Sequence, residues 1–134
     1  MNQVLVDTDI LSYFLKGDPG VYLKFETYRE QYSKINLSSI TYYEILSGLY
    51  FKGSQKQIDG FIGFCDSNTI VNITLESLRA SSKIYSKQRK MGTPVDDIDI
   101  LIAGIAMANN LTLVTNNSRH FGKIQGLNLD NWKG

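Results

Sequence analysis

Val4-Leu5-Val6-Asp7-Thr8-Asp9-Ile10-Leu11 is the stretch from which the rest of the chain can be read. Three apolar residues are too few for a helix and suit a buried strand, whose carboxyl end delivers Asp7. Helical spacing follows at once. Ile10, Leu11, Phe14 and Leu15 fall on one face, and Gly17, Asp18, Pro19 and Gly20 stop the run.

The same change of period recurs downstream. A helix is expected from about Val21 to Tyr32 and a short strand from Ile35 to Leu37. Ile45, Leu46, Leu49 and Tyr50 then mark a helix capped by Ser38 or Ser39 and ending near Gly53. Ile58, Phe61, Ile62 and Cys65 indicate another helix, and β-branched Thr69 to Ile73 a third strand. A long helix is expected over Leu75 to Lys90, with Leu78, Ile84 and Tyr85 facing inward and Gly92 and Pro94 closing it. Asp97 to Ala108 reads as a helix, Leu111 to Val114 as a strand, and Ile124 to Leu129 as a last, weaker strand. This alternation predicts an α/β fold with a central, mainly parallel sheet flanked by helices on both faces. Ligands of such sheets bind beyond the carboxyl ends of the strands, where strand order reverses. Asp7 and the segment Thr115 to Asn117 both follow directly after apolar strands.

The chain has 134 residues, 43% apolar and 20% charged. That fits one conventional domain and leaves no length for a second. With a formal net charge of +1, a polyanionic partner has to be drawn by a local patch. Cys65 is the only cysteine, which excludes an intrachain disulfide and a thiolate zinc cluster and points to a reducing, cytoplasmic setting. The start of the chain lacks the pattern of a signal peptide, and the longest apolar run, Ile100 to Ala108, is too short to span a membrane.

Carboxylates cluster at the predicted strand and helix ends. Asp7 at a strand end suits a metal ligand, although Asp7 or Asp9 can equally cap the following helix. Glu44 has two readings. Thr41-Tyr42-Tyr43-Glu44 fits a capping box, and a Glu one turn into a helix can instead point over the sheet end toward Asp7. Asp96 and Asp97 suit the positive end of a helix dipole. Asp99 precedes a nearly all-apolar helix, where a carboxylate needs a pairing charge or a cation. Mg²⁺ or Mn²⁺ would supply it, since hard divalent ions take oxygen ligands from one or two carboxylates plus phosphate oxygens.

Four segments in order resemble the PIN-domain ribonucleases, and within them the VapC toxins of toxin–antitoxin pairs. They are Val4 to Leu11, Ser38-Ser39-Ile40-Thr41-Tyr42-Tyr43-Glu44-Ile45 with Gly48, Asp99-Ile100-Leu101-Ile102-Ala103, and Leu113-Val114-Thr115-Asn116-Asn117. Phe121, Gly126-Leu127 and Asn131-Trp132 add to the likeness, which covers nearly the whole chain. It implies a single PIN-like nuclease domain over residues 1–134, with a catalytic set of Asp7, Glu44, Asp99 and Asn117. Asp7 and Asp99 would hold Mg²⁺ or Mn²⁺, while Asp96 and Asp97 stay open as additional ligands. Asn117 stands where many relatives have a fourth acid, so a second ion would be held less firmly. Thr8 and Thr115 would steer ligands through their hydroxyls. The resemblance further implies hydrolysis of RNA phosphodiester bonds, with transfer RNA, and initiator transfer RNA in particular, as substrate. It also implies homodimers and inhibition by a VapB-type antitoxin in a hetero-oligomer.

Arg79, Lys83, Lys87 and Lys90 recur along one face of the long helix and form a local basic patch that can track a phosphate backbone. A plain solvated face is the alternative. Tyr13, Phe14, Phe51, Phe61 and Phe64 divide between core and a partner groove. Three rivals stand beside the nuclease: a catalytically silent RNA- or protein-binding module of the same fold, a haloacid dehalogenase-like phosphatase, and a metal-independent ribonuclease using Arg119 and His120. The phosphatase reading has the wrong motif order, because its acidic pair should follow the Val114-Thr115-Asn116-Asn117 segment rather than precede it.

Overall fold

Strands β1 (Val4–Val6), β2 (Asn36–Ser38), β3 (Thr69–Val71), β4 (Thr112–Val114) and β5 (Leu129–Asp130) make one sheet in the order β3-β2-β1-β4-β5. Every pairing is parallel. The structure, a computed structural model, describes residues 2–134, so Met1 of the expected domain lies outside the described residues. Succession runs from β1 through β2 to β3 in one direction and through β4 to β5 in the other. The reversal falls between β1 and β4, whose register pairs Val6 with Val114, and opens a crevice at their carboxyl ends.

Helices α1 (Thr8–Leu15), α2 (Pro19–Tyr32), α3 (Ser39–Lys52), α4 (Gln55–Asp66), α5 (Leu75–Lys90), α6 (Asp97–Ala108) and α7 (Ser118–Phe121) cover both faces, giving an α/β three-layer fold. The alternation of β1 shows how. Val4 and Val6 enter one core cluster with Ile10, Phe25, Tyr28 and Trp132, whereas Leu5 enters the other with Ile102, Ile105 and Phe121. A period of two sends successive side chains to opposite layers. Phe14, Phe61 and Phe64 belong to the first cluster, while Phe51 is 94% exposed.

Two expectations need correction. Leu78 and Tyr85 do not face inward: they are 38% and 42% exposed. The buried face of α5 is Ser77, Ser81, Ile84 and Gln88, a mostly small, polar stripe that packs on Gly104 of α6. A Cβ at Gly104 would lie 1.9 Å from Ser81 Oγ and 2.7 Å from the Ser77 carbonyl oxygen, so the two backbones approach closely because neither helix puts bulk there. The Ser81 hydroxyl donates to the Ile100 carbonyl at 3.0 Å. The last strand is also shorter than Ile124 to Leu129. Ile124 is a buried residue beyond the unexpected helix α7, and only Leu129–Asp130 pairs with β4.

Candidate active site

Asp7 is delivered by β1, as its strand context implies, and it also caps α1. Its Oδ1 accepts from the Thr8 backbone N–H at 2.8 Å, and its Oδ2 accepts from the Thr115 hydroxyl at 2.8 Å. Thr115 follows β4 and is itself buried. Its backbone N–H donates to the Asp130 carbonyl of β5 at 2.9 Å, and its Oγ1 accepts from the Asn117 N–H at 3.0 Å. Capping of α1 and a place at the carboxyl end of β1 therefore coexist in Asp7.

Glu44 does not cap its helix. The N-cap of α3 is Ser38, whose hydroxyl accepts from the Thr41 N–H, so Thr41 sits inside the first turn and the capping-box pattern is out of register. Glu44 Oε1 instead accepts from the Thr8 hydroxyl at 2.7 Å. Because Thr8 Oγ1 donates there, it accepts from Thr41 Oγ1 at 2.9 Å, and Thr41 in turn accepts from Ser38 Oγ at 3.3 Å. Three hydroxyls thus donate in one direction, Ser38 to Thr41 to Thr8, and the row ends on Glu44.

Asp99 lies in the first turn of α6, but the cap is Asp96, whose Oδ2 accepts from the Ile98 N–H at 3.2 Å. That leaves Asp99 to face the other acids. Asp97 is exposed and lines a shallow depression with Leu78, Tyr85 and Leu101, on the side of α6 that meets α5. Asn117 turns its amide to His120, with Nδ2 and Nδ1 3.1 Å apart, and His120 Nδ1 lies 3.8 Å from Asp99 Oδ2.

The carboxylates destabilise one another's charge. Burial pushes Asp7 up to about 7, and the charges of Asp9 and Asp99 add to the rise against the opposing Thr115 and Thr8 hydrogen bonds. Asp99 is raised by burial and then by Asp96, Glu44 and Asp9, with His120 opposing. Asp9 is raised by burial. Asp9 is the residue that sequence reasoning left at a helix cap. Its Oδ2 accepts from the Asn116 N–H at 3.0 Å, tying α1 to the loop after β4. His120, considered only for a metal-free mechanism, is the other residue at this site that sequence left without a place, and no local spacing marks its approach to Asp99.

Among the described residues, no three His, Cys, Asp or Glu side chains are set closely enough to hold a metal ion by themselves. The donor set nevertheless fits a hard divalent ion. Mg²⁺ is commonly held by one or two carboxylates, with water and substrate phosphate completing its shell, so an all-protein cage is not required. A cation would also offset the burial and the mutual repulsion that raise Asp7 and Asp99. The basic residues of α5 lie elsewhere. Arg79, Lys83 and Lys87 line a groove between α5, the end of α6 and the turn before β5, and the exposed Lys90 is not among its lining residues.

Residues 4–127 match the PIN domain family. A tRNA(fMet)-specific endonuclease VapC of Shigella flexneri is 26% identical, over 98% of this chain and 99% of its own. Ribonuclease VapC1 of Methanocaldococcus jannaschii is 31% identical, over 96% of this chain and 85% of its own. In the crystal structure of VapBC2 from Rickettsia felis bound to a promoter DNA fragment, a chain 26% identical superposes with a TM-score of 0.88, over 97% of this chain and 98% of that one. Acids gathered at the switch point of a parallel sheet and a family match over nearly the full length lead to one assignment: the chain belongs to the PIN-domain family, in its VapC branch.

Proposed function

We propose that this protein is a divalent-metal-dependent endoribonuclease toxin that hydrolyses RNA phosphodiester bonds, with transfer RNA, initiator transfer RNA foremost, as its substrate. The observation that carries the reading is the buried Asp7 at the β1–β4 switch point, raised to about 7 by burial and by the neighbouring acids. A carboxylate in that setting is stabilised by a cation, and Asp7 and Asp99 are the residues that would hold Mg²⁺ or Mn²⁺. When bound, such an ion polarises a phosphodiester and promotes ionisation of water. The Thr115 hydroxyl holds Asp7, the Thr8 hydroxyl holds Glu44, and Asp9 anchors the loop that carries Asn117. Fixed in this way, the donors do not have to reorganise when an anionic substrate arrives.

Relatives supply the finer claims. The transfer RNA target rests on the name of the Shigella flexneri relative, and restraint by a VapB-type antitoxin on the VapBC2 complex. Exposed Tyr43, Tyr50 and Phe51 on α3 give a protein partner an apolar surface to cover, in a homodimer or with the antitoxin. Among the described residues no helix is long and apolar enough to cross a membrane. Membership of the PIN-domain family stands against the phosphatase reading.

The test is cleavage of bulk transfer RNA by antitoxin-free protein, with Mg²⁺, with chelator, and by Asp7→Asn. Removing a charge from a desolvated ionic site costs about 3–5 kcal/mol, or roughly a hundredfold to several thousandfold in rate. Discrete fragments that vanish with chelator and in Asp7→Asn are expected. Intact RNA in the presence of folded wild-type protein and Mg²⁺ would identify a silent module, and chelator-resistant cleavage would indicate the metal-independent reaction at Arg119 and His120.

A further inference from the structure

Separate from the acidic crevice, and sharing none of its acids, is a groove of about 460 Å³ with one basic wall. Arg79, Lys83 and Lys87 form that wall at four-residue intervals, so they project from one face of α5 about 6 Å apart along its axis. This is of the order of the spacing between successive phosphates of a nucleic-acid strand. Glu76 is the only acid lining the groove, and among the described residues none of the three cations is in an ion pair. The floor is apolar, from Ile84, Met107 and Ile124, and offers a surface for a ribose or base.

We infer that this groove binds the phosphate backbone of the substrate RNA at a point remote from the bond that is cut, an inference that rests on the ribonuclease reading above. A polyanion is repelled by a crevice containing Asp7, Asp9, Glu44 and Asp99 and has to be held by charge elsewhere, and a net charge of only +1 makes a local cluster necessary. The two places are joined by one segment, residues 115–125. It begins with Thr115 on Asp7, passes His120 beside Asp99, and ends with Gln125, whose Oε1 accepts from Lys87 Nζ. Lys87 is thereby held at the groove rim by the same segment that shapes the active site. An RNA long enough to span both engages them together, whereas a short fragment reaches the crevice alone.

The experiment compares wild type, Arg79→Glu, the double variant Lys83→Glu/Lys87→Glu, and a control, Lys24→Glu/Lys34→Glu, with the same change of charge at exposed positions outside the groove. Binding of bulk transfer RNA is measured against salt in the Asp7→Asn background, and cleavage of whole transfer RNA and of a short oligonucleotide carrying the cut site in the Asp7 background. Each phosphate that the protein no longer neutralises lowers the slope of log affinity against log salt by about 0.7–0.9. The double variant is therefore expected to flatten the slope by roughly 1.5, to raise KM on transfer RNA about tenfold or more, and to weaken cleavage of the short oligonucleotide far less than cleavage of whole transfer RNA. An equal loss in the control pair, or undiminished transfer RNA affinity in the groove variants, would overturn the inference. So would loss of antitoxin binding with RNA affinity intact, which would assign the groove to an acidic protein segment. If wild type neither binds nor cuts RNA, the ribonuclease reading fails; if it does both and the groove variants match it, the groove inference alone fails.

Discussion

Two hydrogen bonds favour the charged form of Asp7, and burial with neighbouring acids outweighs them. The folded group titrates at about 7 against 3.8 for the ordinary residue. Between those values the folded protein keeps a proton that the unfolded chain has released, so stability from this group is fully present below the unfolded value and declines as pH rises toward 7. In cation-free protein at higher pH the penalty is on the order of 4 kcal/mol. Asp7→Asn removes it. With chelator present, the variant is expected to be more stable than wild type at pH 8, with the gap closing by pH 4; urea midpoints across that range test this, and a constant gap would refute it. Thr8→Val keeps shape and deletes the donor to Glu44, so cleavage should fall roughly tenfold to a hundredfold while circular dichroism stays native. Of these residues Asp7 was legible in sequence because three apolar residues announce a buried strand end. The contact of Glu44 with Thr8 was not, since Thr41 imitates an N-cap and only the true cap at Ser38 resolves the register. Asp9 holding Asn116 spans 107 positions, beyond any local pattern.

The α5–α6 hairpin shows what element-scale reading captures and misses. Periodicity located both helices because their ends carry capping and stop residues, Thr74 and Asp96 at the amino ends and Gly92 after α5. It places Ile84 inside correctly but misplaces Leu78 and Tyr85, because apolar spacing alone does not define an inner face on which close backbone approach selects serine and glycine. Gly104→Ala forces a Cβ into the Ser77 carbonyl and the Ser81 side chain. Overpacking of this kind costs about 1–3 kcal/mol, and a lowered urea midpoint is the expected result. Adding Ser81→Ala should recover only part of the loss, because the Ser77 backbone remains 2.7 Å away. Helix α7 escaped notice for a different reason: four residues are too few to display a period, and Asn117 supplies no side-chain cap.

At the scale of the molecule, the alternation of strands and helices was enough to predict parallel layers, but strand order was not legible, because any of several right-handed arrangements satisfies the same local pattern. The far end of the chain fastens the near one. Trp132 is 3% exposed against Phe25 and Tyr28, with ring centroids 5.3 and 5.7 Å away, and Lys133 Nζ lies 2.9 Å from Asp18 Oδ2. Trp132→Ala should cost about 3–5 kcal/mol and lower Tm without altering kcat at temperatures where the variant stays folded. A fall in kcat of the folded variant would mean that the anchor also shapes the crevice.

The hydrogen bond from Thr115 to Asp7 joins positions 108 residues apart, and Thr115 is in turn fixed by Asp130 of the last strand. During synthesis Asp7 leaves the ribosome 108 residues before the hydroxyl that holds it. A nascent or prematurely terminated chain therefore carries its acids without the geometry that would make them act. The acids at the sheet end are thus set by order of emergence: Asp7 waits, unheld, until Thr115 and then Asp130 have followed it out of the ribosome.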